Sequence, residues 1–328
     1  MSETTTERAR PEPIQAVPVR HPWRWVSTIV LLVLVAMFAH MLVTNKAFQW
    51  NFMVENMFRP PVISGLIGTI KLTIFSMIIG IVLGVILAIM RLSPNKILSS
   101  VAWVYIWFFR AVPQLVLCVL AGNLGVLWPR IGFGLPFGHY VGDLFGAPSF
   151  TGQFGGVNAN TLLTGFVAGM LALGLSEAAY MAEIVRAGLN SVDPGQREAA
   201  EALGLGRGQV LMRIVLPQAM RVIVPPTGNE TIAMLKNTSL VAYTPVATEL
   251  FFQLQAVAQR TFQPFPMLVA ACLWYLFLSS ILMVGQYFVE RHFSRGFGTS
   301  GRQKQKTRDV GVEHTGRLTP QADSGGTS

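Results

Sequence analysis

The sequence predicts an all-α integral membrane protein with about six transmembrane helices. Three observations carry that expectation. Hydrophobic residues make up 52% of the 328-residue chain and charged residues only 12%, where a soluble domain carries about 25% charged residues. Six stretches approach or exceed the roughly 20 mostly apolar residues that a spanning helix requires. The Lys and Arg residues gather on one side of those stretches, which fixes an orientation.

The candidate spans cover residues 26–43, 62–90, 97–128, 161–183, 222–250 and 267–289. The first lies too far into the chain for a signal peptide. Thr44, Asn45 and Lys46 follow it in place of a small-residue cleavage site, so it reads as a retained helix. The third is interrupted by Arg110 and Pro113, the fifth is the most polar, and the sixth carries no charge. With the N-terminus inside, segments 1–25, 91–96, 184–221 and 290–328 face the cytoplasm and hold 18 Lys and Arg. The opposite segments 44–61, 129–160 and 251–266 hold 4. Both termini are therefore expected in the cytoplasm.

Residues 1–24 and 296–328 are too polar to bury a core and are expected to be disordered tails, the second of them basic. Segment 25–61 supplies an N-terminal helix and an outside loop. The outside loop 129–160 is rich in Gly, Pro and Phe and is long for a helix connection.

The net charge of +9 does not point to nucleic acid, because the basic residues flank apolar runs. Cys118 and Cys272 sit within apolar runs and read as small buried hydrophobes, with no zinc spacing around them. The sequence has no phosphate-binding loop, nucleophile elbow or zinc-peptidase motif. Its five histidines are scattered. The expectation is a non-enzyme that binds no metal and no cofactor of its own.

Segment 187–217 carries the most specific pattern. Asp193-Pro194 reads as an N-cap followed by proline at the first helical position. Helix-forming residues follow, and Gly204 suits a C-terminal cap. The run is Glu198-Ala199-Ala200, three residues, Gly204, nine residues, Ile214, one residue, then Leu216-Pro217. This resembles the EAA loop of ABC importer permeases, and every spaced position matches.

The flanking residues resemble the polar amino-acid branch of that family, the histidine, glutamine and glutamate uptake type. They read Ala178-Ala179-Tyr180-Met181-Ala182-Glu183-Ile184-Val185-Arg186, then Ser191-Val192-Asp193-Pro194-Gly195-Gln196, and after the loop Gln218-Ala219. The likeness covers about 62–295. Departures fall at Ala111-Val112, where the branch has Gly-Thr, at Ala178 in place of Gly, and at the additional Pro245.

The resemblance implies a five-helix permease core at 62–295, preceded by one extra N-terminal helix, in the bacterial cytoplasmic membrane. It implies a short cytoplasmic coupling helix that docks into an ABC ATPase subunit dimer, where ATP and Mg bind. It further implies a second permease subunit, identical or homologous, and an extracytoplasmic amino-acid-binding protein. The activity implied is import of polar or charged amino acids. The alternative is an ion-gradient-driven secondary transporter. That reading would need an inverted repeat, which is not evident, and has no use for an EAA loop.

Ionisable groups at membrane depth normally face the bundle interior or a wet path. Arg110 beside Pro113 either holds a carboxylate transiently or fixes packing. Thr227, Glu230, Thr231, Asn237, Thr238 and Thr244 would share an arc of roughly 140° on one helix, which suits a water-filled path or interhelical hydrogen bonding. Tyr180 is a further candidate, on one face with Ser176 and Glu183.

Overall fold

A computed structural model describes residues 22–127, 130–134, 138–146, 153–158, 165–244 and 248–293. They are helical almost throughout. The chain divides into two compact units, Met1–Arg186 with Glu230–Leu282, and Ala187–Asn229 with Met283–Ser328.

In the first unit, α1 (Pro22–Thr44) begins with proline, whose fixed φ suits a first helical turn. The helix thus takes in the last residues of the segment expected as a disordered tail. The rest of that tail, and the C-terminal one, lie outside the described residues. Among the described residues, no residue of the apolar stretch of α1 is buried. Its end is tied to α2 (Trp50–Met57) by the Trp50 indole, which donates to the Leu42 carbonyl at 2.9 Å.

α3 (Pro60–Leu92) is the central helix, and its small residues decide what packs on it. Near its start, Val62 joins Met53, Met57, Leu250, Leu254, Met267 and Ala270 in one apolar cluster. At its middle, Leu72 and Met77 pack with Cys118, Leu173, Met234 and Val241. Near its end, Leu87 meets Ala102, Ile106, Ala178 and Ala182. These clusters bring together α4 (Lys96–Ala111), α5 (Gln114–Gly122), α8 (Gly165–Asn190), α11 (Leu216–Asn237), α12 (Leu250–Thr261) and α13 (Pro264–Phe293). Gly80 and Gly84 allow α3 and α8 to approach closely: a Cβ added there would lie 2.6 Å from Glu177 Cγ and 2.4 Å from Met181 Cβ. Interhelical hydrogen bonds add register, from Ser76 Oγ to the Met170 carbonyl at 3.2 Å and from the Tyr105 hydroxyl to the Leu175 carbonyl at 2.9 Å.

Three expectations need correction. The span 97–128 is broken: α4 and α5 meet at Val112-Pro113 with a bend of 98°, where proline lacks the N–H needed to continue the helix. The segment 222–250 is not one span. α11 ends at Asn237, a 3-10 helix runs over Thr238–Tyr243, and α12 starts at Leu250. Its polar residues bond to the local backbone, which competes with a continuous helix. Among the described residues, four helices are long and apolar enough to cross a membrane, or five with the bent pair counted as one.

The third correction concerns 129–160. The described part holds α6 (Leu124–Leu127) before it, then β1 (Arg130–Gly134), α7 (Gly138–Leu144) and β2 (Gln153–Asn158). The strands pair antiparallel, with Ile131 opposite Val157 and Phe133 opposite Gly155. The glycines that read as loop alternate with Ile131 and Phe133, which is a strand period.

Where α12 begins, Glu249 is 1% exposed and fully engaged. One carboxylate oxygen accepts the Phe252 N–H at 3.0 Å and caps the helix. The other accepts the Thr69 hydroxyl at 3.1 Å and the Tyr275 hydroxyl. One side chain so joins α3, α12 and α13. Glu249→Ala removes the cap and strands a buried hydroxyl, a loss of roughly 2–4 kcal/mol. Thermal unfolding in detergent should show a clear fall in midpoint for Glu249→Ala and a smaller one for Glu249→Gln, which keeps an acceptor.

In the second unit, α9 (Pro194–Ala202) and α10 (Arg207–Val210) lead through a π-helical turn at Leu211–Val215 into α11. The wide turn has a local cause. Pro217 follows it, and a proline ring collides with the carbonyl four residues back in a regular helix. The Leu216 N–H reaches instead to the Leu211 carbonyl, one residue further. Later in α11 a close approach occurs at Gly228, where a Cβ would overlap the Gln286 amide. That amide donates to the Pro225 carbonyl at 2.8 Å and to Glu290 at 2.7 Å.

Candidate functional site

The segment 187–217 builds a short, exposed helix with both ends capped. The Asp193 carboxylate accepts the Gly195 N–H at 2.8 Å, and Pro194 occupies the first turn. At the other end Gly204 takes φ +81. The Gly204 N–H donates to the Glu201 carbonyl at 2.9 Å and the Leu205 N–H to the Ala200 carbonyl at 3.2 Å. This is a Schellman cap, and glycine is the residue that enters its left-handed position without a Cβ penalty. Ala200 faces inward at 4% exposure, whereas Glu198, Ala199 and Gly204 are exposed. Arg197 braces the helix from behind, donating to the Leu189 carbonyl at 2.6 Å.

Leu203 stands 82% exposed at the tip. Sequence reading passed it over, although an apolar residue between a helix and its glycine cap is the signal for such a tip. Of the remaining pattern, Ile214 lies in the π turn at intermediate exposure, with Leu216 also intermediate and Pro217 exposed at the start of α11. The pattern therefore specifies one capped helix and one irregular return into the membrane-directed helix.

The candidate path residues do not form a single stripe. Arg110 is in the last turn of α4, just before the break at Pro113, and its guanidinium lies 5.4 Å from the centre of the Tyr180 ring. Among the described residues its partner is thus an aromatic face rather than a carbonyl or a Glu. Tyr180 is on α8 and 37% exposed. The Arg186 guanidinium holds Glu183 at 3.0 Å, as a local pair one helical turn apart.

On α11, Thr227 donates to the Ile223 carbonyl at 2.8 Å, and Glu230 and Asn237 are partly exposed. Thr238 and Thr244 leave the stripe. Both are buried, with their hydroxyls on the Leu235 and Val241 carbonyls at 2.7 and 2.6 Å. The helical period on which the stripe rested stops at Asn237, so these hydroxyls serve the 3-10 turn.

Two buried carboxylates were missed. Glu249 is structural, as described above. Glu177 is different: it is 3% exposed on α8, and its Oε1 receives no hydrogen bond from the described residues. An ionisable residue within a long apolar helix was the available signal.

The family of binding-protein-dependent transport system inner membrane components matches residues 80–295. The chain belongs to that family. It is a multi-pass protein of the bacterial inner membrane and the permease subunit of an ABC importer, with ATP hydrolysis on a separate subunit. Such a permease works with an ATPase and a substrate-binding protein.

Among its relatives is the arginine transport system permease protein ArgU of Corynebacterium glutamicum, 44% identical over 88% of this permease and 85% of the relative. The probable amino-acid permease protein YxeN of Bacillus subtilis is 36% identical over 76% and 98%. The crystal structure of an amino acid ABC transporter with histidines superposes with a TM-score of 0.57 at 31% identity, covering 71% of this permease and 94% of that chain. The permease also shares its fold, at 14% identity and a TM-score of 0.51, with a bacterial alginate ABC transporter, over 84% and 93% of the two chains.

Proposed function

We propose that this permease forms the membrane path of an ATP-driven importer for polar or charged amino acids. The carrying observation is the capped, exposed helix Pro194–Ala202 with Glu198, Ala199, Ala200 and Gly204 in the EAA spacing. In this reading the helix seats in a groove of an ATPase dimer that holds ATP and Mg. The small alanines permit close approach, and Glu198 makes charged contacts at the rim. Ile214, Leu216 and Pro217 carry the motion into α11. Both termini and segment 187–217 face the cytoplasm, as the Lys and Arg distribution supports. A second permease subunit, identical or homologous, completes the path, and an extracytoplasmic binding protein delivers the amino acid. Arg110, Pro113, Tyr180, Thr227, Glu230 and Asn237 are the path candidates on this chain.

The amino-acid assignment is supported by the relatives, which include an arginine permease and an amino-acid permease. The test is uptake of radiolabelled amino acids into proteoliposomes holding the permease, its ATPase and its binding protein. Import that depends on internal or external ATP, according to ATPase orientation, supports the reading. Uptake driven by an ion gradient without ATP contradicts it and favours a secondary transporter.

A further inference from the structure

We propose that a cavity between α11 and the end of α13 binds the phosphodiester headgroup of an anionic phospholipid of the cytoplasmic leaflet. The inference takes its orientation from the importer reading and is independent of the substrate carried.

The cavity measures about 590 Å³ and lies within the second unit. Small-ligand sites occupy about 300–1,000 Å³. Arg221, in the second turn of α11, and Arg291, in the last turn of α13, both line it and are exposed. Arg221 has no ion pair among the described residues. Glu290 lines the same cavity, and its carboxylate accepts the Gln286 amide N–H at 2.7 Å. Two guanidiniums and one carboxylate leave a net positive charge, which the single negative charge of a phosphodiester offsets. The Gln286 amide also donates to the carbonyl of Pro225 at 2.8 Å, and Pro225 lines the cavity, so its two helical walls are pinned together.

The rest of the lining is apolar, with Val222, Tyr287 and Phe293. One turn back from Tyr287, Met283 and Val284 are exposed on the same face of α13. An acyl chain can follow that face into the bilayer while the headgroup meets the arginines. The helix also supplies acceptors. Pro225 and Pro226 stand inside α11 and lack the N–H that would close onto the Arg221 and Val222 carbonyls. Glycerol hydroxyls of a headgroup bring donors for such carbonyls, and a choline headgroup brings none. Basic clefts between membrane helices on the cytoplasmic side attract anionic headgroups, which that leaflet concentrates.

The test is native mass spectrometry of the permease–ATPase complex titrated with dioleoylphosphatidylglycerol, dioleoylphosphatidylcholine or inorganic phosphate. The complex should retain phosphatidylglycerol about tenfold more tightly than phosphatidylcholine. Arg221→Gln combined with Arg291→Gln should erase that preference, and Arg221→Lys alone should keep most of it. Arg59→Gln, at an exposed arginine before α3, should leave it unchanged. If the double form fails to assemble, Val222→Glu, which sets a carboxylate on the cavity wall, carries the same comparison. Equal retention of the two lipids, or a preference that survives these substitutions, overturns the site. So does displacement of phosphatidylglycerol by inorganic phosphate, which identifies a free-anion site. Loss of ATPase subunits from the double form also overturns it and assigns the arginines to the ATPase contact. A native permease that carries no ATPase removes the importer reading, and the same titration on the permease alone still decides the lipid site.

Discussion

Gly68→Ala is expected to leave almost no correctly folded permease in the membrane. A Cβ at this position would lie 1.6 Å from the Thr248 carbonyl oxygen and 2.8 Å from its carbon. Both are backbone atoms, so no side-chain rotation relieves the overlap. The turn at Thr248 leads directly into Glu249, which caps α12 and bonds Thr69 and Tyr275. Moving the turn away therefore breaks the buried network and opens the apolar cluster of Val62, Leu250 and Leu254. Overpacking in a core typically costs 1–3 kcal/mol, or more where the backbone must shift. Quantifying folded protein by size-exclusion chromatography after mild solubilisation checks this, with Gly285→Ala as the control, since nothing lies within 4 Å of a Cβ there.

The second large effect is on transport rather than folding. Glu198→Lys combined with Gly204→Asp is expected to abolish ATP-driven import, by about 100-fold or more, while the permease still accumulates in the membrane. Glu198 is exposed on α9, and in the proposed docking the reversal of its charge turns a rim attraction into a repulsion. Gly204 holds φ +81 in the Schellman cap, so a side chain there strains the turn that aims the helix tip. Both positions are exposed in the second unit. Uptake in proteoliposomes, compared with membrane content, separates the two effects. Import at the native rate would show that this helix does not transmit ATPase motion.

Much of this architecture was legible because lipid demands long uninterrupted apolar runs. α1, α3, α8 and α13 all fall on spans expected from composition. Segment 187–217 was legible for a different reason: Asp193, Pro194 and Gly204 each have a local backbone role independent of tertiary context. What stayed hidden depended on packing. The polar run 222–250 reads as one helix by period, and only the buried positions of Thr238 and Thr244 make a 3-10 turn the better solution. The ribbon of β1 and β2 was obscured by glycines, which report backbone freedom more strongly than strand period. Glu177 was overlooked beside the more familiar Tyr180 and Glu183. It packs against Gly80 across the helix pair, about a hundred residues away in sequence.

The central claim is that this chain is the membrane half of an ATP-driven machine gripped through α9. Co-purification tests it most directly. The permease should bring down nucleotide-binding subunits in mild detergent, and the Glu198→Lys plus Gly204→Asp form should lose them while remaining monodisperse. Recovery of the native permease free of any ATPase, or equal capture by both forms, would contradict the account.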